Sequence, residues 1–252
     1  MVSLDNVSKS YGPKGRGDTV KAVDGLTLEL RPGEIFGFIG PNGAGKTTTI
    51  KMLVGILTPD QGRVTVGGFD MAADPVKAKS QIGYVPDNPN LYERLTGKEY
   101  LQFIGDVYGV PGNLRKERLE KYLAVFELTG AVGNSIRSYS HGMRQKLLLT
   151  GALMTQPPLW VLDEPLVGLD PRAALLLKEE MQAHCQNGNT VFFSTHILEV
   201  AEKLCHRIGV ILEGKLAAVG TMKELRTGKK VKSLEKIFFA LADQTAPAED
   251  AP

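Results

Sequence analysis

The residues with the most specific chemistry stand at Gly40-Pro41-Asn42-Gly43-Ala44-Gly45-Lys46-Thr47-Thr48, which satisfies every position of the pattern G-x-x-x-x-G-K-[ST]. Three glycines in six positions let successive backbone N–H groups turn inward on an anion without Cβ clashes. A helix starting near Lys46 points its positive dipole end at the same place. Lys46 then reaches the β- and γ-phosphates of a nucleotide. Thr47 offers a hydroxyl to Mg²⁺, whose octahedral shell otherwise takes water, phosphate oxygen and a carboxylate. A turn that merely connects strand to helix has no need of the Lys-Thr pair.

Other polar groups stand at the ends of apolar runs. Leu159-Trp160-Val161-Leu162 delivers Asp163 and Glu164 at the tip of a core strand, where open α/β sheets bind ligands. Thr190-Val191-Phe192-Phe193-Ser194-Thr195 repeats the arrangement and delivers His196. Ser140 is placed as the N-cap of a helix running to about Met154, through His141, Gly142 and Met143. Gly168-Leu169-Asp170-Pro171 begins a further helix. His184-Cys185 and Cys205-His206 hold four possible zinc ligands, but adjacent residues on a helix point about 100° apart, and neither pair has ligand spacing. Ordinary packing, and no zinc, is expected there.

These groups need an α/β framework. Glu34 to Ile39 reads as a short apolar strand, and Lys46 to Gly55 carries Ile50, Leu53 and Val54 at helical spacing. Residues 2–11 and 20–30 read as strands of an antiparallel sheet, joined by the glycine-rich loop 12–18, and Arg63 to Val66 adds a strand that Gly67-Gly68 ends. Tyr11, at the end of the first strand, either stacks on a nucleobase or simply packs. A strand from Gln81 breaks at Pro86 and enters a loop carrying Asp87. Leu91 to Thr155 is helix-rich, with Leu119, Tyr122, Leu123 and Phe126 on one packing face, and suggests a subdomain inserted into the α/β chain. Ile208 to Leu212 and Lys215 to Val219 form a hairpin around Glu213-Gly214. Lys229, Lys230 and Lys232 read as solvated surface or as a contact for anionic lipid; a short helix from Ser233 to Ala242 follows, then a disordered tail at 243–252.

Composition narrows the function. At 252 residues and 42% hydrophobic content the chain can bury a large core, and a net charge of +2 gives no support to a nucleic-acid binder. The longest uncharged run, Leu147 to Leu162, contains Thr150, Gln156 and Pro157-Pro158 and is not a membrane span. The N-terminal residues lack the pattern of a signal peptide, and two cysteines fit a reducing compartment, so a cytosolic location is expected.

In this order and spacing the segments resemble the nucleotide-binding domain of ABC transporters over nearly all of Leu4 to Ala242, most of all the ATPase subunits of bacterial ABC-2-type exporters. The resemblance implies a P-loop NTPase core, a mostly parallel sheet with helices on both faces, with an antiparallel β-subdomain and an inserted helical subdomain. One domain would span 1–242: core and β-subdomain at about 1–86 and 156–220, helical subdomain at 88–155, and a helical extension at 221–242. Tyr11 falls on the adenine-stacking position, residues 40–48 on the Walker A loop, Asp87 on the Q-loop glutamine, Ser140 to Gln145 on the signature, Leu159 to Glu164 on Walker B, Gly168 to Asp170 on the D-loop, and His196 on the switch histidine.

The implied roles follow. ATP and Mg²⁺ are the cofactors, with Thr47, Asp163 and Asp87 about the metal. Glu164 polarises the attacking water, His196 hydrogen-bonds the γ-phosphate, and Lys46 completes the catalytic set. Ser140, His141, Gly142, Met143 and Asp170 help to enclose ATP between two nucleotide-binding domains, of like or unlike chains. A separate transmembrane permease, touched near residues 87–110, would hold the chain at the inner face of the membrane and couple hydrolysis to export. Two departures stand out: Asp87 replaces the usual glutamine and adds a carboxylate beside the phosphates, and the signature reads Tyr139-Ser140-His141-Gly142-Met143-Arg144 rather than Leu-Ser-Gly-Gly-Gln. Hydrolysis is still expected, because Ser140, Gly142, Glu164 and His196 are kept. A soluble ABC ATPase of translation or DNA repair, and a nucleotide sensor without turnover, are the rival readings.

Overall fold

The structure, a computed structural model, describes residues 2–12, 19–227 and 233–245. The greater part of the glycine-rich loop, the lysines 229, 230 and 232, and the tail from 246 onward lie outside the described residues.

Two sheets organise the chain. The smaller is antiparallel, built from β1 (Val2–Tyr11), β2 (Val20–Leu30), β4 (Gln61–Val66) and β5 (Phe69–Asp70) in the order β2-β1-β4-β5. Alternation makes it one-sided: Leu26, Leu28 and Leu30 are buried while Thr27 and Glu29 face outward, as expected for a sheet covered on one face. Val2 pairs with Leu30 and Leu4 with Leu28, and both rows of apolar side chains join one core with α1 (Lys46–Leu53).

The larger sheet has the order β10-β9-β3-β8-β7-β6. Its members are β3 (Ile35–Ile39), β6 (Ile82–Val85), β7 (Leu159–Asp163), β8 (Thr190–Thr195), β9 (Arg207–Leu212) and β10 (Lys215–Gly220). All neighbours are parallel except the edge pair β9–β10, the hairpin around Glu213-Gly214. β3, β7 and β8 are buried at every position, so their sequences are near-continuous apolar runs and not alternating ones. Because β3, β8 and β7 lie side by side, the loops leaving their C-terminal ends emerge along one edge. That edge carries residues 40–45, His196, and the Asp163-Glu164 pair.

Helices cover both faces. Between β6 and β7 come α3 (Gly97–Val107), α4 (Gly112–Val125) and α5 (His141–Thr155), the helix-rich insertion. Thr96 and Glu99 close a capping box at the start of α3, each side chain accepting from the other's backbone N–H. On α4 Tyr122 is buried, and Phe126 just beyond its end is buried beside it. The short helix α2 (Pro75–Ser80), which no periodic apolar pattern announces, follows β5. The core adds α6 (Pro171–Gln186), α7 (Leu198–Leu204) and α8 (Met222–Arg226). Helix α9 (Leu234–Thr245) runs three residues into the segment expected to be a disordered tail; Leu234 and Ile237 dock into a core with Ile39, Val210 and Leu225, and Leu241 and Ala242 pack against it just before the extra residues. Glu180 of α6 accepts from Tyr122 Oη at 2.9 Å and pairs with Lys121, tying the helical insertion to the sheet layer.

The histidine and cysteine pairs are taken up by packing. His184 stacks on Trp160 with ring centroids 3.7 Å apart and planes 6° from parallel, and His206 Nδ1 accepts from the Ile35 N–H at 2.9 Å. Burial pushes the Cys185 thiol up to about 11. Burial also pushes His184 down to about 4 from its ordinary 6.5, so the folded state refuses a proton that the unfolded chain accepts. Its folded pKa is depressed, so stability is full above pH 6.5 and declines as the pH falls toward 4. The slope is about 1.4 kcal/mol per pH unit within that window. His184→Phe, which keeps the stack and removes the titration, is expected to flatten that part of the pH dependence. Urea midpoints followed by fluorescence of Trp160, the single tryptophan, measure it.

Candidate nucleotide site

The loop after β3 is glycine-rich for steric reasons. A Cβ on Gly40 would run into the carbonyl oxygen of Ile211, and one on Gly45, whose φ is 107°, into that of Ala22. The loop is closed by Ala44 N–H to the Pro41 carbonyl at 3.2 Å and by Gly214 N–H to the Ala44 carbonyl at 3.0 Å. Lys46 lies inside it, 7% exposed, and donates to the carbonyls of Gly40 at 2.7 Å and Pro41 at 3.1 Å. Burial lowers the pKa of its ammonium, opposed by the negative charges of Glu164, Asp163 and Asp87.

Those carboxylates arrive from two neighbouring strands. Asp163, 2% exposed at the end of β7, accepts from Thr47 Oγ1 at 3.2 Å through Oδ2 and from Ser194 Oγ at 2.6 Å through Oδ1. Desolvation raises its pKa, the Ser194 and Thr47 hydroxyls lower it, and Asp87 raises it again. The next residue, Glu164, has a left-handed backbone with φ 49°, uncommon for a non-glycine residue. This bend leaves Oε2 2.9 Å from His196 Nδ1, beyond the end of β8. An ionised carboxylate only accepts, so Nδ1 carries the proton of that contact.

A cleft of about 200 Å³ lies among Pro41, Gly43, Lys46, Thr47, Thr48, Asp87, Asp163 and Glu164. Tyr11 stands beside it, 45% exposed, with its hydroxyl 3.4 Å from Thr48 Oγ1. Tyr84 also adjoins the cleft: burial and the charges of Asp163 and Asp87 push its hydroxyl up to about 12.

Ser140, His141, Gly142, Met143 and Asp170 do not line this cleft. Ser140 caps α5, accepting from the Met143 N–H at 3.3 Å, and is exposed with His141. Gly142 faces the Gly168 carbonyl so closely that a Cβ would come within 3.0 Å. Asp170 caps α6 through the Ala173 N–H at 2.9 Å and pairs with Lys146 at 2.6 Å, which hold its carboxyl down near 2. One chain therefore carries two separate halves: a phosphate loop with its carboxylates, and a helix N-terminus beside a second loop. Ser194 was not among the candidates from sequence. Its only signal is a hydroxyl interrupting the apolar run two residues before His196.

The fold has counterparts among known proteins. A family model described as "ABC transporter" matches residues 23–167, more than half of the chain. The chain belongs to the ABC transporter ATP-binding proteins. This ABC ATPase is 39% identical over 225 residues to the linearmycin resistance ATP-binding protein LnrL of Bacillus subtilis, covering 89% of this chain and 70% of that one. It is 36% identical over 250 residues to the Nod factor export ATP-binding protein I of Paraburkholderia xenovorans, covering 98% and 80%. Among solved structures, an ATP-binding subunit of an ABC transporter superposes with a TM-score of 0.89 at 32% identity, covering 96% of this chain and 99% of that one. The dimeric post-hydrolysis structure of the ATP-binding cassette MJ0796, bound to ADP and Pi, matches with a TM-score of 0.79 at 25% identity, covering 88% and 98%. The cleft at Lys46 lies within the matched residues.

Proposed function

We propose that this ABC ATPase is the motor of an exporter, closing as a dimer on MgATP and driving a separate permease at the inner face of the membrane. The observation that carries the catalytic part is the contact of Glu164 Oε2 with His196 Nδ1 at 2.9 Å, at the edge of the cleft that holds Lys46. In this reading the loop N–H groups and Lys46 bind the phosphates, Tyr11 stacks on the base, and Glu164 orients the attacking water and accepts its proton. His196, held through Nδ1 by Glu164, turns its other ring nitrogen toward the γ-phosphate in this reading.

The donors present fit a magnesium ion. Thr47 and Asp163 bring oxygen atoms together, Asp87 adds another beside them, and hard cations take oxygen ligands. No group of three or more His, Cys, Asp or Glu among the described residues would hold a metal by itself, so the ion relies on phosphate oxygens for much of its shell. When bound, it neutralises charge on the β- and γ-phosphates.

The N-terminus of α5, exposed at Ser140 and His141 and apart from its own chain's cleft, supports the dimer: in this reading Ser140, His141, Gly142 and Met143 would meet a phosphate on a second copy. Dimeric MJ0796 and the export role in the name of the Nod factor relative support the same reading. No helix among the described residues is long and apolar enough to cross a membrane. Tyr92, Phe103 and Val107 are exposed on and before α3, a suitable surface for the permease. A sensor without turnover would have no use for the Glu164–His196 pair. An ATPase of translation or DNA repair has no supporting feature in the charge balance.

Light scattering of Glu164→Gln tests the dimer. The mass is expected to double with MgATP and to stay monomeric without it. A monomer that demonstrably holds MgATP overturns self-association.

A further inference from the structure

Ser194 is 0% exposed on β8, directly opposite Asp163 of β7 in the parallel register. Its hydroxyl makes two hydrogen bonds of opposite sense. The backbone N–H of Glu164 donates to Oγ at 3.0 Å, and Oγ donates to Asp163 Oδ1 at 2.6 Å. The order is forced, because a backbone N–H can only donate, and the single hydroxyl proton is then left for the carboxylate.

We propose that Ser194 is the positioning residue that couples the two carboxylates of the site, an inference that rests on hydrolysis being carried by Glu164. One side of the coupling acts on Asp163. With Oδ1 pinned by Ser194, rotation about the Cβ–Cγ bond is blocked, and Oδ2 stays beside Thr47 Oγ1 at 3.2 Å, where an oxygen-seeking cation would be met. The other side acts on Glu164. Its peptide is anchored by the hydroxyl while its φ is held at 49°, and this bend brings the side chain to His196. Without the hydroxyl, the Glu164 N–H and Asp163 Oδ1 lose their partner in a place where no solvent reaches Ser194. An apolar residue would fill the same space in the core. It would leave both carboxylates free to turn.

The test compares Ser194→Ala and Ser194→Cys with wild type and with Glu164→Gln, all as full chains. Cysteine keeps the side-chain volume but offers only a weak S–H donor and sulfur acceptor. Both variants are expected to lower kcat about 10- to 100-fold, as misplacement of reacting groups does. The Mg²⁺ concentration for half-maximal rate should rise severalfold, while the Kd for ATP without metal stays within about twofold. In the nucleotide-free, metal-free chain, the Glu164 amide should exchange its hydrogen at least about tenfold faster by NMR, since its acceptor is gone. Wild-type kcat and Mg²⁺ dependence in either variant, with Glu164→Gln inactive, overturns the role of Ser194 alone. A Cys variant restored to wild type while Ala is impaired reduces Ser194 to packing and also overturns it. A Glu164→Gln enzyme as fast as wild type overturns instead the reading of Glu164 on which the inference rests.

Discussion

Glu164→Gln is expected to slow phosphate release about 100- to 10,000-fold while leaving ATP affinity nearly unchanged, the range that loss of a positioned general base produces. The substitution keeps the size of the side chain. Its amide oxygen can still accept from His196 Nδ1, and the left-handed backbone at φ 49° asks no more of glutamine than of glutamate. What disappears is the carboxylate's capacity to take a proton from water. Binding should survive, because the groups proposed to hold the phosphates, Lys46 and the loop 40–45, are not altered. Removing one negative charge beside Asp163 and Asp87 should, if anything, favour an anionic ligand. Single-turnover phosphate release, with nucleotide affinity measured separately, checks this. A rate within about threefold of wild type would sink the assignment of Glu164 as base.

Lys46→Ala should act on the other term. The ammonium is buried, held by two backbone carbonyls and surrounded by three carboxylates, and its lowered pKa shows that burial costs it more than those charges return. Its value lies in charge-assisted hydrogen bonds to phosphate, each about 1.5–3 kcal/mol, and its loss is expected to weaken ATP binding about 10- to 100-fold. Hydrolysis should fall further, because the charge that grows on the γ-phosphate loses a fixed cation. Thermal unfolding separates the two effects. Without nucleotide the midpoint should lie within a few degrees of wild type, and the upward shift that MgATP gives the wild type should be largely lost. A variant that still shows the full MgATP shift would mean that the loop N–H groups alone hold the phosphates.

Legibility followed the range of the interactions. The strand-loop-helix at Gly40 to Leu53, the core strands ending in Asp163 and before His196, the Ser140 cap and the β9–β10 hairpin rest on local rules: which residues tolerate φ above zero, which side chains cap a helix, which apolar runs belong inside a sheet. Those rules act over a few neighbours, so they could be read directly. Helix α2 has only Ala78 buried, too small a face to leave a periodic signature. Helix α9 outruns its expected end, with Leu241 and Ala242 packed against the core just before the point where composition turns polar.

By itself, then, the sequence determined the chemistry available: a phosphate loop, an acidic strand tip, a histidine, a capped helix, and through their order a likeness to one family. Tertiary structure decided which of these groups meet. Strand order β3-β8-β7 sets the Lys46 loop, His196 and the Asp163-Glu164 pair along one edge, although 116 residues separate Thr47 from Asp163. Packing of the two sheets brings Tyr11 beside Thr48, and Ser140 to Met143 stay out of the cleft. Strand order also turns Ser194, one polar residue in an apolar run, into the bridge between two carboxylates. Side-chain type is written residue by residue, but a hydrogen bond between strands exists only after the sheet has chosen its neighbours and register.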